Sequence, residues 1–279
     1  MLDALPYDQV ILDIKRKGES YINIPPLSVF PELVHGFTTR FGGVSKKEYA
    51  TLNLNYNKND DPANVRNNFE ILGKKLGVEP DNMVLSHQVH GKDILYVTKS
   101  HAGMGVIRER SYSNIDALVT DEPDLLLITH YADCVPLYFY DPVKQVIALA
   151  HSGWKGTLLN IGVETLKKLE SLFGCNPSDI HVAFGPHIQP CCFEVDYDVA
   201  EIFHKTFTCA KSFTFMKENN KWHIDLKRII MYNLLKNGIL EINVYGCQIC
   251  TKCNKDIFFS HRGSNGITGT GAAFLMIRG

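Results

Sequence analysis

The stretch YADCVPLYFYDPVKQVIALAH (131–151) reads as two apolar strands joined by a tight turn. Asp141-Pro142-Val143-Lys144 has the chemistry of a type I turn, with aspartate at its first position and proline at its second. A four-residue loop there pairs Tyr140 with Gln145, and following the antiparallel ladder back sets Cys134 opposite His151. Directly opposed residues share a face with Cβ atoms roughly 4.5–5.5 Å apart, so one metal ion or one proton can lie between that sulfur and that imidazole. A one-residue slip would undo the juxtaposition, and Pro136 invites an edge position or a bulge. A buried cysteine beside a hydrogen-bonded histidine would show the same spacing with no chemistry. What favours chemistry is the continuation, Ser152-Gly153-Trp154-Lys155-Gly156-Thr157, a small-residue turn feeding a helix whose free N–H groups attract anions. It is not a Walker A loop, because the GxxxxGK[ST] spacing is missing. A third ligand must come from elsewhere. Ser86-His87-Gln88-Val89-His90-Gly91 offers two histidines three residues apart, and spacing alone does not choose between His87 and His90.

Outward from the hairpin, strand-like runs fall at 10–14, 33–38, 83–89, 94–98, 116–120, 125–130, 180–183, 242–245 and 272–276. Asp61-Pro62 reads as an N-cap followed by proline at the first helical position, and Val65, Phe69, Leu72 and Leu76 then share one face up to Gly77. A second helix is expected over 157–173, with Leu158, Ile161, Leu166, Leu169 and Leu172 inward. A third follows Asp225, with Leu226, Ile229, Ile230 and Leu234 as its buried stripe, and a short one covers 198–205. Many strands against three or four helices, without strict βαβ alternation, predict a mixed α+β fold. No repeat or linker divides the chain, so residues 1–279 are expected to form a single domain.

Composition narrows the function. With 29 basic and 30 acidic residues the formal charge is −1, so no basic surplus exists to neutralise nucleic-acid phosphates. The apolar region 125–150 is broken by His130, Asp133, Asp141 and Lys144, which argues against a membrane span. MLDALPYDQ lacks the basic and apolar regions of a signal peptide, so a cytoplasmic protein with reduced thiols is expected. Of the eight cysteines, Cys247-x-x-Cys250-x-x-Cys253 has the look of a metal-binding run but shows no fourth partner nearby. It reads as a thiol-rich strand end and turn, and Cys191-Cys192 as a structural pair packed near the site.

The motifs together resemble one family. HGFTTRFGGVS (35–45), TLNLNYNKNDDPANVRNN (51–68), SHQVHG (86–91), DALVTD (116–121), ADCVPL (132–137), AHSGWKG (150–156), GPHIQPCCFEV (185–195) and FFSHR (258–262) are similar, in this order, to the laccase-domain, polyphenol-oxidase-like purine nucleoside phosphorylases of the YfiH/YlmD type. The resemblance implies two stacked mixed β-sheets flanked by helices, in α/β/β/α layers, with the site at a strand end. It also implies a mononuclear zinc site of His90, Cys134 and His151, selecting His90 over His87. Three protein ligands leave a four-coordinate zinc one open position, the catalytic pattern.

The implied activity is phosphorolysis of adenosine, inosine and 5′-methylthioadenosine, with adenosine deamination at the same site. The partners are then purine nucleosides and phosphate, with the oligomeric state open. Arg40 and Lys155 are the candidate phosphate contacts, and Arg40 and Asp133 the candidate catalytic groups, Asp133 as a general acid/base or an orienter of a ligand. One departure stands out: the family's C-terminal segment often reads TGRxA, whereas Thr268-Gly269-Thr270 lacks the arginine. Two other chemistries compete. A metal-free cysteine hydrolase or deamidase would use Cys134 as nucleophile and His151 as base, without needing His90. A copper-dependent phenol oxidase would call for clustered HxH histidines, and the sequence has no HxH pair.

Overall fold

The longest apolar runs of the sequence become the central strands of two stacked sheets. The computed structural model describes residues 11, 13, 14, 16–217 and 220–279. In chain order the strands are β1 (Tyr21–Ile22), β2 (Leu33–Thr38), β3 (Met83–Leu85), β4 (Ile94–Tyr96), β5 (Ala117–Thr120), β6 (Leu126–Tyr131) and β7 (Val135–Asp141). They continue as β8 (Val146–Ser152), β9 (His181–Phe184), β10 (Glu194–Val195), β11 (Thr214–Met216), β12 (Trp222–Ile224), β13 (Val244–Tyr245) and β14 (Gly271–Ile277). One sheet has the order β1-β2-β14-β6-β3 and the other β13-β9-β7-β8-β5-β4. Every residue of β7, β8 and β14 is buried, as expected of strands covered on both faces. Two tyrosines stitch the layers together: Tyr138 Oη donates to the Gly36 carbonyl at 2.8 Å and Tyr131 Oη to the Ala150 carbonyl at 3.0 Å.

Helices close both outer faces. Helix α1 (Pro62–Leu76) begins where the Asp61 side chain accepts the Ala63 amide and ends at Gly77 in the left-handed region. Its Val65, Phe69, Leu72 and Leu76 pack with Met83, Leu85, Leu126, Ile128, Phe274 and Met276 of the first sheet. Helices α2 (Trp154–Leu158) and α3 (Ile161–Phe173) pack against β8 on the other side. Helix α4 (Tyr197–Thr206) packs on β12, and α5 (Leu226–Lys236) leans on α2 and α3. The result is a mixed α+β fold in α/β/β/α layers, with a small third sheet, β10-β12-β11, that the sequence reading did not anticipate.

Three expectations need correction. The hairpin is shifted by two in its pairing sum: Asp141 faces Val146, and Pro136, not Cys134, lies opposite His151. The reason is that Asp141 stays in the strand while its carboxylate accepts the Val143 and Lys144 amides, and Gln145 takes the loop's left-handed position at φ 55°. The shift is even, so side-chain faces are preserved. The single helix over 157–173 is two, because Asn160 sits at φ 59° and its carbonyl starts α3 afresh. Of the strand expected over 10–14, Val10 and Leu12 lie outside the described residues, and Ile11, Asp13 and Ile14 are helical.

Candidate metal centre and its cavity

The starts of β5 and β7 and the end of β8 lie at one end of the six-stranded sheet, because both strands pair antiparallel to β8. Cys134 immediately precedes β7, His151 is the penultimate residue of β8, and His90 lies in the loop leading to β4. Their ligand atoms, the Cys134 sulfur and one ring nitrogen of each histidine, all fall within 4.8 Å of one another. The two imidazoles meet edge to face with centroids 4.9 Å apart. His87 does not join them; its Nδ1 accepts the Asn114 amide at 3.0 Å. Two borderline nitrogen donors and one soft sulfur, converging with Gly153 leaving the space between them open, are a donor set that suits zinc.

Asp116 organises this trio, and the sequence reading assigned it no role. Its buried carboxylate accepts the amides of Val89 (3.0 Å), His90 (3.0 Å) and Gly91 (2.8 Å), which fixes the turn carrying His90 at φ 62°. It also lies 2.8 Å from Nδ1 of His151. Burial alone would raise the Asp116 pKa, but the His151 hydrogen bond and the turn amides outweigh it and hold the carboxyl below its ordinary value. An ionised carboxylate accepts, so Nδ1 carries the proton and Nε2 is left to bind. The signal that could have found it was DALVTD, whose aspartate adjoins a strand pairing with the one that carries His151.

The cysteine and histidine polarise each other. Burial opposes ionisation of Cys134, yet His151 and His90 beside it pull the thiol down to about 6. Burial likewise opposes a charge on His151, while Cys134 and Asp116 raise it to about 9. A bound cation would replace that proton and leave the thiolate in place. Asp116→Asn puts an amide N–H against the loop amides or against His151, so it is expected to weaken metal binding about 10–100-fold. A chelator-competition titration reads that loss, and unchanged affinity would remove Asp116 from the account.

A cavity of about 500 Å³ opens over the trio. Trp154, Ile188 and Phe193 give it apolar wall, and Asn55, Lys58, Arg110 and His130 give it polar wall. His130 is pushed down to about 3, by burial first and then by Arg110, so its ring is neutral. Its Nε2 is buried with no partner among the described residues.

The other sequence candidates sit differently. Asp133 lines the cavity, but its Oδ1 accepts the hydroxyls of Thr251 and Ser260, each at 2.7 Å, and its Oδ2 the Arg262 amide at 2.7 Å. Those bonds hold a residue at φ 96°, a strained backbone next to the cysteine. Asp133→Ala, which strands three donors, should cost about 3 kcal/mol and lower Tm by roughly 5–10 °C in thermal denaturation. Arg40 and Lys155 do not line the cavity. The Arg40 guanidinium donates to the carbonyls of Ala50 (2.9 Å) and Lys255 (2.8 Å) and stacks on Phe259. Exposed Lys155 lies over the Trp154 ring at 5.5 Å. Arg110 and Lys58, which the sequence reading gave no role, line the cavity instead; Lys58 lies within the 51–68 motif, and Arg110 in none of the motifs named above.

Three donors able to hold a metal ion, gathered at a strand end of the six-stranded sheet in an α+β fold, are the class of site this fold presents. The family model described as multi-copper polyphenol oxidoreductase laccase matches residues 34–278, and the chain belongs to that family. The chain is 37% identical to a purine nucleoside phosphorylase YlmD of Geobacillus stearothermophilus over 95% of its own length and 96% of the relative's. It is 33% identical to the purine nucleoside phosphorylase YlmD of Bacillus subtilis, over 88% of each chain. A crystal structure of YlmD from G. stearothermophilus superposes with a TM-score of 0.88 at 35% identity, covering 94% of this chain and 98% of the other. No helix among the described residues is long and apolar enough to cross a membrane.

Proposed function

We propose that this protein is a zinc-dependent purine nucleoside phosphorylase, acting on adenosine, inosine and 5′-methylthioadenosine in the cytoplasm, and that the same site deaminates adenosine. The observation that carries the proposal is the convergence of His90, Cys134 and His151 on the floor of a nucleoside-sized cavity. The names of the YlmD relatives support the substrate class. Two neutral imidazoles and one thiolate would leave bound zinc a net positive charge and an open position, from which it supplies Lewis acidity toward a phosphate or water oxygen. In phosphorolysis a phosphate oxygen bonds to ribose C1′ as the C1′–N9 bond breaks, and the purine leaves with the electron pair and takes up a proton.

The chain's own residues divide that work. Arg110 and Lys58 bring positive charge to the cavity wall for the phosphate. The rings of Trp154 and Phe193 offer apolar faces to the purine. His130, neutral and with no partner at Nε2 among the described residues, exchanges a hydrogen bond with the nucleoside. Asp116 keeps His151 in the tautomer that binds through Nε2. The test is chromatography of adenosine incubated with metal-replete enzyme. Adenine and ribose 1-phosphate should form only when phosphate is present, and inosine should form without it. Base release that ignores phosphate would overturn the phosphorylase reading.

A further inference from the structure

The thiol-rich turn has partners from another part of the chain. The sulfurs of Cys191, Cys192, Cys250 and Cys253 all lie within 4.8 Å of one another, with Cys192 Sγ 3.5 Å and Cys191 Sγ 3.8 Å from Cys253 Sγ. Cys247 is not part of the group; it is buried separately, and its carbonyl accepts Gln189 Nε2 and Lys227 Nζ. The group corrects the reading of Cys250 and Cys253 as thiols without a complement: Cys191 and Cys192 lie beside them. From this geometry we infer that Cys191, Cys192, Cys250 and Cys253 form a second, tetrathiolate site for one zinc ion, separate from the His90–Cys134–His151 centre.

The metrics fit a single ion. Four sulfurs bonded tetrahedrally at about 2.3 Å are separated by edges of about 3.8 Å, the scale of the separations found here. A cluster of several irons would need its thiolates spread over a wider frame. The backbone is already arranged around the sulfurs: His187 and Cys250 form a parallel bridge, which brings the two cysteine pairs side by side. The Gln189 amide points at Cys250 Sγ at 3.5 Å, the kind of N–H···S contact that stabilises a thiolate. Cys250-x-x-Cys253 has the spacing of a zinc knuckle, and the complementary pair is contiguous rather than spaced. On binding, the four thiols release their protons and the metal neutralises half of the resulting charge.

Position suggests what the site does. It fastens the 187–193 segment to the 250–262 segment, and both border the catalytic cavity. Ile188 and Phe193 come from the first, and His261 and Arg262 from the second. The second segment is the one whose Thr251, Ser260 and Arg262 hold Asp133 beside Cys134. A closed four-sulfur site has no open position for substrate, so its contribution is to brace one wall.

The test uses full-length protein prepared under reductant and equilibrated with zinc. The wild type should hold about two zinc ions per chain by elemental analysis, and the His90→Ala/Cys134→Ala protein about one. X-ray absorption of that variant's zinc should show a sulfur-only shell at about 2.3 Å, which requires no mutation of the four cysteines. Its Tm should fall when the zinc is chelated, and Cys191→Ser/Cys253→Ser should lose one zinc ion relative to wild type. Absence of zinc from His90→Ala/Cys134→Ala, or nitrogen and oxygen neighbours around it, would overturn the site. Masses showing these cysteines joined in disulfides in the reductant-treated protein would do the same. An unchanged Tm on chelation would overturn the bracing role.

Discussion

Cys134→Ala should leave a folded protein that no longer retains metal at the catalytic centre and has lost at least ~10³-fold in kcat/KM for phosphate-dependent cleavage of adenosine, about 4 kcal/mol of transition-state stabilisation. The size follows from the geometry. In the proposed centre the sulfur is one of three donors found among the described residues, and it alone would supply negative charge to a bound ion. Folding should survive, because Cys134 precedes β7 and carries none of its ladder. Circular dichroism would establish that, metal analysis the loss of the ion, and chromatography the loss of adenine release. The same variant would inactivate a thiol hydrolase, since Cys134, His151 and Asp116 also line up as nucleophile, base and orienter. His90→Ala separates the two chemistries. A sulfur nucleophile keeps its base and turns over without metal, whereas a metal centre missing one of three ligands falls silent. Activity surviving in His90→Ala, with thiol reagents abolishing it, would decide for the hydrolase.

How much of this could be read before folding depends on where each piece of information resides in the chain. The mixed α+β class followed from contiguous apolar runs and from caps such as Asp61 and Gly77, whose chemistry is local, whereas the stacking into layers came only with the family resemblance. The juxtaposition of Cys134 with His151 also came through, although the pairing that predicted it was displaced. An aspartate whose side chain captures two turn amides moved the loop by one position on each strand, and an even shift keeps faces together. Asn160 hid a helix break, because the apolar stripe continues across it while the backbone turns left-handed. What the sequence could not disclose is contact between distant segments. Asp116 meets the 89–91 turn through three backbone amides, which leave no trace in side-chain patterns. Arg40 looked like an anion ligand because a conspicuous motif carries it, yet two carbonyls and a phenyl ring occupy it. Arg110, from an unremarkable loop, reaches the cavity instead. Cys250 and Cys253 lacked a complement only while Cys191 and Cys192 were viewed along the chain rather than across it.

Gly153→Ala should abolish tight metal binding without removing a single donor atom. A Cβ built there lies 2.6 Å from His90 Nδ1, 3.2 Å from His90 Cε1 and 3.0 Å from Cys134 Sγ, so it would occupy the space between two ligands. Alanine meets no objection from the backbone, since Gly153 has φ −75° and ψ −178°, extended values that any residue adopts. Its position as the N-cap of α2 makes no side-chain hydrogen bond that could be lost. The unfolded chain, moreover, becomes less flexible, which offsets part of any cap penalty, and the net change should stay within about 1 kcal/mol. The strain therefore falls on the site. His90 cannot retreat with its backbone, because the amides of residues 89–91 are fixed to Asp116, so its ring must swing away from the cysteine. We expect at least ~100-fold weaker metal binding and a matching loss of phosphorolysis, with Tm altered by no more than roughly 3 °C. Chelator competition, the adenosine assay and a melting curve on one preparation measure all three. Wild-type metal affinity in Gly153→Ala would mean that the ion does not bind between His90 and Cys134, and the trio would lose its claim to be the catalytic centre. Weak binding in a protein that melts normally would tie the activity to the distance between those two side chains, which no deletion of a ligand can do.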